Sequence, residues 1–525
     1  MTYYCGLPHF RALAFAIVLA THCDGLAQDS ASIVSDDTGG VRARALAIIA
    51  ENYVDSVEID SSFSVPAILS RLDPFSWYET GDQHELSMSR FNEKDFRYGV
   101  CLDSADGHVI LTAVTLCSAA DHAGFLPGDE ILSINGQALH GNDSIADFLL
   151  LSNTSTVLEL HRASSDSTWT VTIRKSLCER WSVPVGTMLD SSIGYIQING
   201  FHRGTAWELE RALEKLRARG MTALILDLRR NSGGYVTEAM RSLNLFIHSD
   251  TPIIRIVSRN ARNDTTEALP DGALYPALPL AILVGNGTCS AAEIFSGVMQ
   301  DLGRAIIVGQ PSIGKSLVMR YFVLPNDDAM MLAMARYTLP TGRMIQRPYR
   351  QGVLIGGCTR DFGTFDNSAH LVDSDFAEAG CPSYTTARGL NLTGLCGIIP
   401  DYFVSQAFFF PDWLRYRIAG AAALYLRAKI NSLLAITLDS FIHGCPMPQV
   451  LVDWVLDDIR AHDTSSIELL APRMAWTVPQ LIKAYVAYGV WSEEGSFQLW
   501  ERHSATVRRA MTLLSKPSVL TALNQ

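Results

Sequence analysis

The 525-residue sequence has no CxxC pair and no HExxH run. The first absence removes the usual zinc and redox spacings, and the second removes a zincin mechanism. Nothing after the N-terminus is an uninterrupted apolar run of 18 or more residues; the apolar AGAAALYL stretch stops between Arg417 and Arg427. No integral membrane segment is therefore expected once an N-terminal leader is removed. Basic residues are in deficit, 42 Lys and Arg against 54 Asp and Glu, for a net charge of −12. A nucleic-acid binder needs a basic footprint, so no nucleic-acid partner is expected. Internal repeats and low-complexity tracts are absent too. The thirteen histidines are scattered, and His202 sits in no Ser-His-Asp order.

What is present begins with a leader. Arg11 precedes the apolar stretch Ala12 to Ala20, and Gly25-Leu26-Ala27 supplies small residues before Gln28. The pattern reads as a secretory signal peptide over residues 1–27 and an exported, periplasmic or extracellular, chain. Cys23 would suit lipid attachment, but His22 stands where that motif wants a small residue. Of ten cysteines, eight lie beyond the leader. Export permits disulfides, and Cys358, Cys381 and Cys396 share a Gly-rich insert where a bridge would close a long loop. Free buried cysteines remain the alternative.

Four stretches follow the leader. Residues 28–95 look helical, with Ala45, Leu46, Ile49 and Tyr53 near one face. Residues 96–176 turn to short β-type runs such as HVILTAV and TVLELHR, with turns at Pro127-Gly128-Asp129 and Asn135-Gly136. Residues 177–404 alternate strand and helix: IGYIQI, then an amphipathic helix through Ala206, Leu209, Leu213 and Leu216, then ALILDLR, LAILVGN and RAIIVG. Residues 405–525 are helical, anchored by Trp413, Leu424, Leu433 and Leu438. The fold class is multidomain α/β (α+β), a βα-alternating core with a small β-rich domain and helical N- and C-terminal parts.

Two motifs mislead. Gly309 to Ser316 satisfies GxxxxGK[ST], but a P-loop must open a helix, and SLVMRYFVL after Lys315 is β-rich. Ser312-Ile-Gly-Lys315 satisfies SxxK, yet Gly314 and the β run oppose the helical turn that pairing requires. A different serine fits better. In the run Val284 to Gly297 an apolar strand ends in Gly/Asn turn residues, and Ser290 opens the helical AAEIFSGVM. A serine at such an elbow lies near backbone N–H donors, which suits a nucleophile whose attack creates an oxyanion.

These segments resemble the C-terminal processing (tail-specific) serine peptidases. LDLRRNSGG (Leu226 to Gly234), TCSAAEIFSGVMQDLGRAIIVGQPSIGKS (Thr288 to Ser316), YTLPTGRMIQ (Tyr337 to Gln346) and GIIPDYFV (Gly397 to Val404) match that family's blocks in order. RLDPFSWY resembles its LDPHSxY. The stretch around AGFLPGDEILSING resembles a PDZ domain, which binds an extended C-terminus as an added strand. By resemblance, Ser290 is the nucleophile and Lys315 the general base, with the Gly233 and Ala291 amides as oxyanion donors. Gly99, Val100, Cys101 and Leu102 map to the peptide-binding loop of the PDZ module. The implied activity is serine endopeptidase cleavage of C-terminal tails or unfolded polypeptides, with no metal and no cofactor. The oligomeric state stays open. The family often has Gln four residues after the lysine, where this chain has Met319; a catalytically silent peptide-binding scaffold is the alternative. Cys289 reads as packing.

Overall fold

The computed structural model describes residues 38–91, 95–139, 155–178, 181–248, 252–259, 264–267, 273–354, 381–386, 389–404, 412–462 and 467–516. The leader, Cys23 and Cys358 lie outside the described residues. Two compact units divide the chain: one within 93–180 and 407–507, the other within 10–92, 181–406 and 508–525. Among the described residues no helix is long and apolar enough to cross a membrane.

The second unit holds the βα-alternating segment. Its six-stranded sheet runs in the order Val185–Met188, Ile193–Gln197, Ala223–Asp227, Leu280–Val284, Ile306–Gly309, Tyr402–Phe403. The first pair is antiparallel and every later pair parallel. Every residue of Ala223–Asp227 and Leu280–Val284 is buried, as expected for strands covered on both faces. Helix Thr205–Ala218 covers the sheet with Thr205, Leu209, Leu213 and Leu216, while Ala206 is half-buried. In such sheets ligands gather at the carboxyl ends of the strands. The turns after three adjacent strands, Ala223–Asp227, Leu280–Val284 and Ile306–Gly309, carry Gly233, Ser290 and Lys315 respectively.

A second sheet in this unit is antiparallel. Leu317–Val323 pairs with the long strand Ala329–Thr338, which also pairs with Trp77–Glu79 and Pro252–Ser258. Lys315 is thus followed by a hairpin strand, not a helix, which is why GxxxxGKS makes no P-loop. The N-terminal segment is mainly helical, with Thr38–Asn52, Val65–Leu72 and Gly81–Phe91. Ala45, Ile49 and Tyr53 enter a core shared with Leu69, Phe75, Met319 and Met331.

Several motif residues are structural ties. Arg343 and Asp301, both fully buried, pair at 2.7 Å. Gln300 donates to the Asp401 carboxylate at 2.8 Å, and Asp401 accepts the Ile307 amide at 2.7 Å. Buried Asp227 holds Arg229 and accepts the Tyr195 hydroxyl at 2.6 Å. Charges leave water at high cost, so these carboxylates persist because each is met by a cation or hydrogen-bond donors.

In the other unit, Val100–Ala105 heads an antiparallel sheet continuing through His108–Val114, Glu130–Ile134, Thr156–Arg162 and Ser167–Ile173. Tyr98 and Gly99 carbonyls accept the Ala120 and Thr115 amides at 2.9 and 2.8 Å. The same unit contains helices Asp412–Leu434, Leu438–Gly444, Gln449–His462 and Ile467–Leu499. No local pattern links these helices to strands three hundred residues earlier; close packing does. A Cβ on Gly420 would already stand 3.2 Å from the Ala105 Cβ, and Arg427 pairs with Glu130 at 2.9 Å. Cys101 in this unit and Cys396 in the other each take part in a disulfide bond, as an oxidising compartment permits. Cys396 Sγ also lies 2.7 Å from Cys381 Sγ.

Replacing Arg343 with Met should strand a buried Asp301 carboxylate and cost about 3–5 kcal/mol. Urea unfolding of the purified variant measures it; a loss under 1 kcal/mol would show that the ion pair is not a structural tie.

Candidate active site

Ser290 is the residue before helix Ala291–Asp301, and its backbone stands at φ 62°, ψ −121°. A non-glycine residue with positive φ is strained, at about 1–3 kcal/mol, and survives only where its surroundings hold it. Here a carboxylate holds it. Glu293 Oε2 accepts the Ser290 amide at 2.7 Å and the Lys315 amide at 2.9 Å. Glu293 Oε1 accepts the Gly314 amide at 2.6 Å and the Ser312 hydroxyl. Ser312 Oγ in turn accepts the Ile398 amide at 2.7 Å. One buried side chain therefore fixes both Ser290 and Lys315, which are 25 positions apart in the sequence.

Ser290, Glu293 and Lys315 are all fully buried. Ser290 Oγ has no hydrogen-bond partner among the described residues. The Lys315 ammonium nitrogen lies 4.8 Å from the centre of the Phe75 ring. Burial pulls the Lys315 pKa below its ordinary 10.5, against the opposing pull of Cys289, Asp73 and Glu293. Burial pushes Glu293 up to about 7, held back by the donors from Ser312, Lys315, Ser290 and Gly314. Burial also raises the Cys289 thiol, with Glu293 adding to it, so Cys289 stays protonated and unreactive at neutral pH. The Tyr337 hydroxyl donates to the Lys315 carbonyl at 3.0 Å and reaches the Ser290 carbonyl at 3.3 Å.

The Asn231–Gly234 turn packs directly on the serine. A Cβ built at Gly233 would fall 2.7 Å from the Ser290 Cβ and 3.0 Å from its Oγ, and Gly233 stands at φ 105°. Only glycine fits that approach and that backbone angle. The Gly233 amide donates to Asn231 Oδ1 at 2.9 Å. The Ala291 amide makes no hydrogen bond among the described residues. Among the described residues no group of three or more His, Cys, Asp or Glu could hold a metal ion.

Ser290, Lys315, Gly233 and Ala291 thus belong to one neighbourhood. Gly99, Val100, Cys101 and Leu102 belong to the other unit. Residues 192–361 match peptidase family S41, and residues 110–162 match a PDZ domain. The chain carries an S41 peptidase domain and a PDZ domain. It is 27% identical over 320 residues to the carboxy-terminal processing protease CtpB of Bacillus subtilis, covering 58% of this chain and 65% of that one. It is 32% identical over 231 residues to a carboxyl-terminal-processing protease of Synechocystis, covering 42% and 53%. The matches therefore span about half to two thirds of those relatives' lengths. Among solved structures, the photosystem II D1 C-terminal processing protease aligns at 21% identity over 58% of this chain and 89% of that one, with a TM-score of 0.38.

The sequence motifs assign no role to Glu293, Asn231, Phe75 or Tyr337. For Glu293 a signal exists: Ser followed three residues later by Glu is the capping-box spacing. Phe75 and Tyr337 reach the site from distant strands and turns, and no local pattern announces that.

Glu293→Gln turns one acceptor oxygen into a donor facing two donors. It should cost about 1–3 kcal/mol in urea unfolding. The pH dependence has a defined sign. A carboxyl raised from 4.5 to about 7 stabilises most below pH 4.5, and that contribution is lost as pH rises through 7. The stability of wild type relative to Glu293→Gln should therefore fall between pH 4.5 and 7; a flat difference would place the Glu293 pKa near its ordinary value.

Proposed function

We propose that this chain is an exported serine endopeptidase that cleaves C-terminal tails or unfolded polypeptides through a Ser290–Lys315 dyad. The observation that carries the reading is the pairing of an unengaged, strained serine with a fully buried lysine on one Glu293 scaffold. A serine hydroxyl attacks only when a base takes its proton. Lysine serves as that base only when neutral, and burial shifts Lys315 toward the neutral amine.

The reaction follows from those roles. Ser290 Oγ adds to the scissile carbonyl carbon, its proton passes to Lys315 Nζ, and the carbonyl π pair moves onto oxygen. Backbone amides at the start of helix Ala291–Asp301 favour that negative charge, and the uncommitted Ala291 amide is the first of them. Collapse expels the amine, which takes the proton from Lys315, and leaves an ester on Ser290. Water then repeats the sequence, with Lys315 again as base.

The PDZ domain supplies substrate capture in this reading. Val100–Ala105 heads its sheet, which suits addition of an extended tail as a further strand, and the Gly99–Leu102 loop would receive the terminal carboxylate. Export rests on the leader pattern of residues 1–27 and fits the disulfide-bonded state of Cys101 and Cys396.

Met319 favours a second reading, a peptide-binding scaffold without turnover. Met319 is buried in the same apolar cluster as Phe75 and offers only a weak acceptor to orient an amine. One experiment separates the two: an unfolded substrate, followed by a fluorophosphonate probe. Turnover with labelling confined to Ser290 supports the enzyme; tail binding with neither supports the scaffold.

Ser290→Ala and Lys315→Ala should each abolish cleavage while circular dichroism stays unchanged. For wild type, kcat/KM should rise with pH as Lys315 loses its proton, with a midpoint below 10.5. Persistent turnover by purified Ser290→Ala would end the dyad reading.

A further inference from the structure

One side of the lysine amine faces an aromatic ring. Lys315 Nζ lies over the Phe75 ring, 4.8 Å from its centre, and both residues are buried. The ring is fixed by its own turn. Asp73 Oδ1 accepts the Phe75 amide at 2.7 Å, and Asp73 Oδ2 accepts the Ser76 hydroxyl at 2.6 Å. Ser76 Oγ accepts the Ala333 amide at 3.1 Å, which ties the turn to strand Ala329–Thr338. That strand organises both partners. Met331 pairs with Trp77 and with Tyr321, so Trp77–Glu79 and Leu317–Val323 flank it on opposite edges. Phe75 and Lys315 each stand two residues before one of those flanking strands. Sheet register thus delivers the ring and the amine from distant parts of the chain.

The groups around the amine pull in opposite directions. Asp73, Glu293 and Cys289 favour the ammonium. The two carboxylates already accept amides and hydroxyls, and burial raises the pKa of both. The Tyr337 hydroxyl donates to the Lys315 carbonyl. A phenyl face attracts a cation, but that attraction offsets only part of the hydration that burial removes. Its net effect is therefore to favour the neutral amine. Histidine stands at this place in the LDPHSxY block that RLDPFSWY resembles, and an imidazole would offer the amine a hydrogen-bond partner that a phenyl ring lacks.

We propose that Phe75 is a positioning residue of the base: its ring face shields Lys315 Nζ from water on one side and holds the amine in the state that accepts the Ser290 proton. This rests on the dyad reading. Phe75 touches neither substrate nor the serine in this role; it acts through the lysine.

The pH profile tests this. Phe75→His, a polar ring in the same place, should raise the midpoint of kcat/KM by about one pH unit. Activity at neutral pH then falls about tenfold and is recovered above the new midpoint. Phe75→Leu keeps an apolar wall, so its midpoint should stay near that of wild type while kcat falls. A merely structural role would lower the rate alike at every pH, and an unmoved midpoint in Phe75→His overturns the proposal. NMR of the full chain carrying 13C-lysine reads the amine without turnover, the Lys315 signal being the one lost in Lys315→Met. Its methylene protons should be shifted upfield by the ring in wild type and should return toward ordinary positions in Phe75→Leu. Wild-type protons with no upfield shift overturn the proposal even where Phe75→His fails to fold. Wild type that shows the ring shift but neither cleaves nor labels with a fluorophosphonate would instead sink the dyad reading, so the two failures are distinguishable.

Discussion

The site depends on a single buried carboxylate. Glu293 gathers two amides from the loop around Lys315, one from Ser290 and a hydroxyl from Ser312. Parallel strands deliver these segments to the same edge of the sheet, but strands alone place loops only roughly. Four donors on one side chain set the loops to hydrogen-bond precision, and Ser312 extends the tie to Ile398. The same hub explains how Ser290 keeps a positive φ. Its amide is held by a short charged hydrogen bond, so relaxing the backbone would forfeit a contact worth as much as the strain.

Much of the fold is legible in the sequence, because its signals are local. Buried strands such as LAILV and the Leu209-Leu213-Leu216 stripe announce themselves by composition and period. Ser290 is legible as the start of a helix, and Lys315 only by resemblance, since nothing near it in the chain says that its amine is dry. The roles of Phe75 and Tyr337 are not legible. Their rings reach the site from segments over 200 positions upstream of Ser290 and 47 downstream. The grouping of the C-terminal helices with the β-rich domain is hidden for the same reason. Small contacts such as Gly420 on Ala105 carry it, and a glycine in a helix has several readings.

The misleading motifs show the same limit from the other side. GxxxxGKS and SxxK are both present around Lys315, yet the glycines serve a different geometry. Gly314 gives its amide to Glu293, and Ser312, the serine of the SxxK spacing, donates to the same carboxylate. Both residues are tied to the carboxylate that also holds the lysine's backbone amide. A motif constrains residue type; the hydrogen-bond partners decide which chemistry it serves.

Burial ties base strength to access. Burial pulls the Lys315 pKa down because its amine is out of water, and the enclosure that keeps it dry also covers Ser290 completely. In the proposed reaction a polypeptide reaches Ser290 only when part of that cover withdraws. Withdrawal admits water, which stabilises the ammonium and weakens the base. The arriving chain must therefore replace the cover that it displaces, so that apolar substrate surface restores the desolvation on which Lys315 depends. Under this constraint a short or strongly charged peptide would bind without activating the base, and discrimination among substrates would appear in kcat as well as in KM. In the proposed dyad the apolar walls of the pocket oppose the pull of Asp73 and Glu293, which favours the ammonium.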